Sequence, residues 1–296
     1  MQYVKDGMVF KMRKVVSKIP KNIKKTIKKN GVTHIFITGD SLKVLKLFSE
    51  NSIDLIITDP PYNIGLDYGP YYKDKKRKYE YISWCKKWLE EIPRILSNKG
   101  SFYLISYPEI NARLLPFIED ELKLKFKRWI TWHYPTNIGH SKRNFTRSQR
   151  SILFFTKTNN YTFNRQYIIQ HYKNPEVWKI KKRLKEGSKG RTSYDVLKLL
   201  DIIELAEKSE GLIDILEINL LKNVSKDRFN KQHPCQLPLA LLKIFVKVSS
   251  NEEDILLDPF AGTFTLSAVA AQLKRNSIGI EINPEYVKLG LKRLEK

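Results

Sequence analysis

The sequence predicts an α/β protein with a mostly parallel, doubly wound sheet, divided by an inserted region. Three observations predict it. Apolar runs of strand length recur at "HIFIT" (34–38), "IDLIIT" (53–58), "SFYLIS" (101–106), "RWITWH" (128–133) and "SILFFT" (151–156). Several are apolar throughout, as in strands covered on both faces. Helical patterns, "SLKVLKLFSE" (41–50) and "YEYISWCKKWLEEIPRIL" (79–96), lie between the first three, which is the signature of βαβ units. The same alternation returns after a stretch of different character, residues 161–230.

Taken in order, residues 1–30 are basic and poorly periodic, with "KKTIKK" at 24–29, and read as an N-terminal arm, either laid on phosphate or solvated. Residues 31–160 carry the first strands and helices and form the first part of the main domain. Residues 161–230 are rich in Lys, Asn and Tyr, with one long helical pattern, "YDVLKLLDIIELAEKSEGLIDIL" (194–216), and read as an insert. Residues 231–296 complete the main domain. "LPLALLKIFVKVSS" (237–250) is a helix and "DILLDPFAGTFTLSAVAAQLKR" (254–275) is strand, turn, helix. "NSIGIEINPEYVKLGLKRLEK" (276–296) is a further strand and helix, with Pro284 at a favourable first-turn position.

The 296 residues hold 54 Lys and Arg against 31 Asp and Glu, a formal net charge of +23. Folding does not need such a charge, and self-repulsion makes it mildly destabilising. It suits a polyanionic partner, with phosphate contacts supplying affinity independent of sequence. The two cysteines, Cys85 and Cys235, form no CxxC pair, which argues against a disulfide scaffold or a zinc ribbon. The N-terminus lacks the apolar core of a secretory signal, and no apolar run approaches the ~18 residues that span a bilayer. A cytoplasmic protein with no membrane partner is the expectation. The five histidines show no ligand spacing, so no metal is expected.

Two strand ends carry candidate chemistry. In "LLDPFAGTFT" (256–265) a strand ends at Asp258, a turn of small residues follows, and a helix opens near Thr265. Ligands bind at such turns, at the carboxyl ends of parallel strands. Ala261 and Gly262 allow close backbone approach. The next strand ends in Glu281, where a carboxylate can accept from both hydroxyls of a ribose. The pair reads as a nucleoside-cofactor site. In "TDPPY" (58–62) an acid again closes a strand, locked against two prolines that remove donors and leave carbonyl acceptors. Asp59 with a proline carbonyl suits an NH₂ group, and Tyr62 offers a π-face to a flat heterocycle. A carboxylate there also stabilises positive charge developing on nitrogen.

Together "TDPPYN" (58–63), "HPCQLP" (233–238), "DPFAGTFT" (258–265) and "GIEINPEY" (279–286), in this order, resemble the amino-methylating DNA methyltransferases of β-class motif order. The resemblance implies a Rossmann-like, S-adenosylmethionine-dependent methyltransferase fold with permuted motif order. Residues 31–160 and 231–296 would form its catalytic domain, and 161–230 its target-recognition region. It implies that Asp59, Pro60, Pro61 and Tyr62 bind and activate the target amino group. Asp258, Phe260, Ala261, Gly262, Thr263, Thr265 and Glu281 would surround the cofactor, with Asp40 near its adenine. His233, Gln236 and Pro238 would close over its methionine end. The chain departs from the family pattern at Phe264, where a second glycine is usual, at Cys235, usually Thr, and at Leu237, usually Lys. Phe264 is expected to turn into the core or over the cofactor's flat base.

The implied activity is methyl transfer to an exocyclic amino group of a base flipped out of double-stranded DNA. Acid before Pro-Pro is more typical of adenine N6 enzymes in the family and Ser of cytosine N4 enzymes, so adenine N6 is expected, with cytosine N4 as the alternative. An RNA or protein-amide methyltransferase and a catalytically dead DNA-binding homologue are the further rivals. Basic segments at 71–81 and 133–150 are expected to face DNA. The resemblance also admits a cognate restriction endonuclease, acting separately, and a homodimer.

Overall fold

The computed structural model describes residues 12, 14–134, 142–172, 174–198, 233 and 235–295. Its strands are β1 (Lys24–Lys29), β2 (Val32–Thr38), β3 (Ile53–Thr58), β4 (Leu96–Ser106), β5 (Lys125–His133), β6 (Gln149–Thr156), β7 (Ile169–Gln170), β8 (Arg191–Thr192), β9 (Val196–Leu197), β10 (Ile255–Asp258) and β11 (Asn276–Glu281). Nine of them form one sheet in the order β1-β2-β11-β10-β3-β4-β6-β5-β9, and β7 and β8 form a separate pair. The five central strands, β2-β11-β10-β3-β4, run parallel. β6 and β5 extend the sheet antiparallel, and β9 pairs parallel with β5. The last strands in sequence thus occupy the middle of the sheet, so the order is permuted as expected.

Both faces are covered, which is why the central strands read as unbroken apolar runs. Ile53, Ile56, Phe102, Leu104, Ile255 and Leu257 share one core with Tyr81, Cys85, Trp88 and Leu89 of the helix Lys78–Leu89 and Leu114 of the helix Pro108–Pro116. Leu55, Ile57, Tyr103, Ile105 and Leu256 point the other way, as the two-residue period of a strand requires. They meet the helices Leu239–Ser249 and Thr265–Gln272. The first of these is buried on nearly every side, which accounts for its almost wholly apolar sequence.

Two expectations are corrected. "KKTIKK" is not a free arm but the edge strand β1, antiparallel to β2, and Met12, Val15, Val16 and Ile19 before it are buried in the core. Lys25 and Lys28 are exposed there, where charge discourages edge-to-edge pairing, while half-buried Lys24 and Lys29 donate to the Val16 and Leu294 carbonyls. The helical pattern 194–216 does not begin as a helix. Val196–Leu197 is β9, held by Thr131 and Trp132 of β5, because pairing with an open edge outweighs helical periodicity there. Residues 199–216 lie outside the described residues.

Candidate active site

Parallel pairing aligns the carboxyl ends of four strands. Thr38 lies opposite Glu281, Asp258 opposite Gly279, and Leu257 opposite Ile56, so β2, β3, β10 and β11 finish along one edge. The residues that follow them open into a single cavity of about 340 Å³. Of the residues named from sequence, Asp40, Asp59, Pro61, His233, Gln236, Asp258, Phe260, Ala261, Gly262, Thr263, Thr265 and Glu281 line it. Pro60, Tyr62 and Pro238 do not. Pro238 instead sits at the N-cap of the helix Leu239–Ser249.

On the β10–β11 side, the Glu281 carboxylate accepts from Gly262 N (2.9 Å) and from Asn283 N (2.8 Å). Asp258 Oδ1 accepts from Phe260 N (3.0 Å) and from Thr58 Oγ1 (3.1 Å), which ties the two strand ends together. Burial pushes both carboxyls up to about 7, against these hydrogen bonds. Gly262 has a φ of 49°, and a methyl there would stand 2.6 Å from His233 Nε2, so the turn needs its missing side chain. Asp40 caps a single helical turn, Ser41–Val44, by accepting from Leu42 N. Trp84 and Trp88 pack on Phe260 at 5.4 and 5.2 Å between ring centroids, and Tyr72 extends this aromatic wall. The carboxylates and hydroxyls fit a cationic ribonucleoside such as S-adenosylmethionine, and the aromatic wall fits its flat base.

Phe264 turns into the core. It is fully buried, in the left-handed conformation (φ 60°), with its ring 4.5 Å from that of Phe36. Gly279 and Gly290 make the notch that admits it, since a methyl on either would collide with the ring. A left-handed residue at this turn explains why glycine is usual there.

On the β3 side, the chain after Asp59 is held from below. Asp74, the one acid in "YYKDKKRK" (71–78), is buried and accepts from Asn63 N (2.7 Å), Leu66 N (3.0 Å) and Ile64 N (3.2 Å). Asn63 exchanges two further bonds with the Lys76 backbone. The Pro61 carbonyl accepts from Tyr81 Oη (2.6 Å), which leaves it a second lone pair. Tyr62 Oη donates to Asp59 Oδ1. Desolvation pushes Asp59 up to about 6, opposed by the positive charge of Arg150 and by the Tyr62 hydrogen bond.

Tyr62 corrects the expectation of an open π-face. It is buried, with the Arg150 guanidinium 4.3 Å from its ring centroid and the Tyr107 ring at 4.9 Å. Arg150 departs from the reading of 133–150 as DNA-facing, because it is 6% exposed. Arg150 belongs to β6, every residue of which after Gln149 is buried, on both faces. Residues 135–141 of that segment lie outside the described residues. Asp74, Tyr81, Trp84 and Arg150 were all missed by motif reading, since their partners are brought together only by the fold.

A profile of the N6/N4 DNA methylases matches residues 53–292. The chain belongs to this family. It is 35% identical over 260 residues to the type II methyltransferase M.HpaI of Haemophilus parainfluenzae, covering 88% of this chain and 73% of that one. It is 35% identical over 263 residues to the DNA adenine methyltransferase YhdJ of Escherichia coli K12, covering 88% and 82%. The fold is shared with the cytosine-N4-specific PvuII DNA methyltransferase (TM-score 0.65, 19% identity, 90% of this chain and 87% of that one). It is also shared with the M1.HpyAVI–SAM complex (TM-score 0.58, 19% identity, 88% and 98%). The protein is therefore an S-adenosylmethionine-dependent DNA amino-methyltransferase. Among the described residues, no helix of this methyltransferase is long and apolar enough to cross a membrane.

Proposed function

We propose that the methyltransferase acts on adenine N6 of a site in double-stranded DNA, with Asp59 and a proline carbonyl of the same turn as acceptors for the target amino group. The observation that carries this reading is that Asp59 opens into the same cavity as Asp258, Gly262 and Glu281, so methyl donor and methyl acceptor can share one space. Adenine is supported by the name of YhdJ, which matches over most of both chains.

When bound, S-adenosylmethionine supplies an electrophilic methyl group on a sulfonium. Glu281 would hold the ribose hydroxyls with the lone pairs that Gly262 N and Asn283 N leave open. Phe260, backed by Trp84 and Trp88, would cover one face of the adenine, and Asp40 would bind its edge. His233, 4.7 Å from Tyr286 between ring centroids, forms the wall behind Gly262. Asp59 accepts one hydrogen of the target amino group and a proline carbonyl of the same turn the other; Pro61 lines the cavity beside Asp59, and its carbonyl keeps a second lone pair beyond the bond from Tyr81. This holds the nitrogen lone pair toward the methyl, and the Asp59 carboxylate stabilises the positive charge that grows on nitrogen. Positioning supplies the rest of the acceleration.

The +23 net charge supports a DNA partner. So do Lys73 and Lys76 beside the cavity and the exposed basic helix Trp178–Lys185. Residues 161–230 serve as the target-recognition region in this reading. The type II label of M.HpaI supports a cognate endonuclease that acts separately. The test is tritium transfer from labelled cofactor to duplex DNA, followed by mass spectrometry of the nucleosides. N6-methyladenine is expected, and N4-methylcytosine without it overturns the base assignment. Asp59→Ala should lose at least ~10²-fold in rate while still binding cofactor, and near-normal turnover would end the proposed role of Asp59.

A further inference from the structure

Arg150 stands apart from the roles assigned above. Its side chain leaves β6 and enters the corner behind Asp59 rather than the DNA side. The guanidinium lies 4.3 Å from the Tyr62 ring centroid, 5.4 Å from Tyr107 and 6.0 Å from both Trp132 and Tyr134. Nη1 donates to Cys235 Sγ at 3.4 Å. Cys235 Sγ in turn lies 4.0 Å from Asp59 Oδ2 and 3.9 Å from Tyr62 Oη. Arg150 Nε is buried and has no hydrogen-bond partner among the described residues. A buried cation with an unmade hydrogen bond is costly for stability alone, which directs attention to what the charge does for its neighbours.

We propose that Arg150 is a positioning residue for methyl transfer: its guanidinium clamps Tyr62 and supplies the positive charge against which Asp59 stays anionic. The proposal rests on the role given to Asp59 above. Asp59 needs its negative charge to stabilise the developing cation on nitrogen, yet it sits in a desolvated corner that favours the neutral acid. The groups acting on that corner include Tyr68 farther along the Asp59 loop and Tyr107 before the helix Pro108–Pro116. Tyr62 is on the same loop, Arg150 on β6, Cys235 on the segment before the helix Leu239–Ser249, and Asp258 at the end of β10. Arg150 is the cation among them. Its planar fork also explains Arg over Lys, because only a flat cation covers the Tyr62 ring face while Nη1 reaches Cys235. The clamp keeps Tyr62 Oη directed at Asp59 Oδ1.

The test is single-turnover methylation as a function of pH for the wild type, R150M and R150K, with melting temperature and cofactor affinity read alongside. At saturating cofactor, which engages Asp258 and Glu281, the wild-type rate should fall on the acid side as Asp59 protonates, near pH 6. R150M should move that acid limb up by about one pH unit, the scale of losing a neighbouring opposite charge, with cofactor affinity within about twofold. R150K keeps the charge and loses the plane, so its limb should stay in place while the plateau rate falls. A folded R150M whose acid limb coincides with the wild type overturns the proposal. Where R150M does not fold, R150K decides: a limb displaced upward, or an undiminished plateau, overturns it. Asp59→Ala separates the two levels. Full turnover by that variant removes the reading beneath, whereas an inactive Asp59→Ala beside an unshifted R150M removes the role of Arg150 alone.

Discussion

Phe264→Gly sets core packing against backbone strain at a single residue. The side chain is fully buried against Phe36, Val287 and Leu294, so truncation to Ala should cost the ~3–5 kcal/mol of a large aromatic deletion. Its backbone is left-handed, at φ 60°, which costs a residue with a Cβ about 1–2 kcal/mol. Ala keeps that strain and Gly releases it, less the extra entropy of Gly in the unfolded chain. Phe264→Gly should therefore be about 1 kcal/mol less destabilised than Phe264→Ala, although it removes more atoms. A second arm uses Gly290, where an added methyl would collide with the Phe264 ring. Gly290→Ala should be destabilising when Phe264 is present and nearly neutral in the Phe264→Gly background, a coupling on the order of 1–3 kcal/mol. Urea midpoints of the wild type and these variants provide the values, with methyl transfer and cofactor affinity measured in parallel. Transfer should persist, since Thr263 and Thr265 line the cavity and Phe264 does not. Phe264→Gly proving worse than Phe264→Ala would refute the strain argument. Tighter cofactor binding with no loss of stability would show that the ring obstructs the site.

The other predictions concern a loop and a buried histidine. Asp74→Ala removes the acceptor of three backbone N–H groups after Asp59, so the rate should fall by ~10²-fold, as for a catalytic group displaced by about 1 Å. Cofactor affinity should change little; an unchanged rate would show that the loop holds itself. His34 is fully buried, with Nδ1 on Ser277 Oγ at 2.8 Å. Burial first, and Lys29 second, lower it from 6.5 to about 4. The unfolded chain therefore binds the extra proton between these values. The neutral ring's stability is complete above pH 6.5 and is lost as the pH falls toward 4, up to about 3 kcal/mol. Denaturant midpoints at about pH 7.5 and about pH 5, on either side of the unfolded value, should differ more for the wild type than for His34→Gln. Equal differences would refute the assignment.

The family resemblance of this methyltransferase was legible before its structure because its cofactor and catalytic motifs are local. A strand end, two prolines and a small-residue turn are each written within a short stretch of chain, and short-range sterics dictate their shapes. The parallel sheet was legible for the same reason, through the unbroken apolar runs of strands covered on both faces. Tertiary structure decided what depends on residues far apart in the chain. Pairing of β3 with β10, and of β2 with β11, brings Asp40, Asp59, Asp258 and Glu281 to one cavity. The same packing places Gly279 and Gly290 around Phe264. It also made an edge strand of "KKTIKK" and a strand of "VL" at 196–197, because an unpaired sheet edge rewards any chain that reaches it and no local period records where edges lie. Arg150 read as one basic residue among many. Only the fold carries it into a desolvated corner against Tyr62, Cys235 and Asp59, where low dielectric turns an ordinary charge into a determinant of its neighbours' protonation.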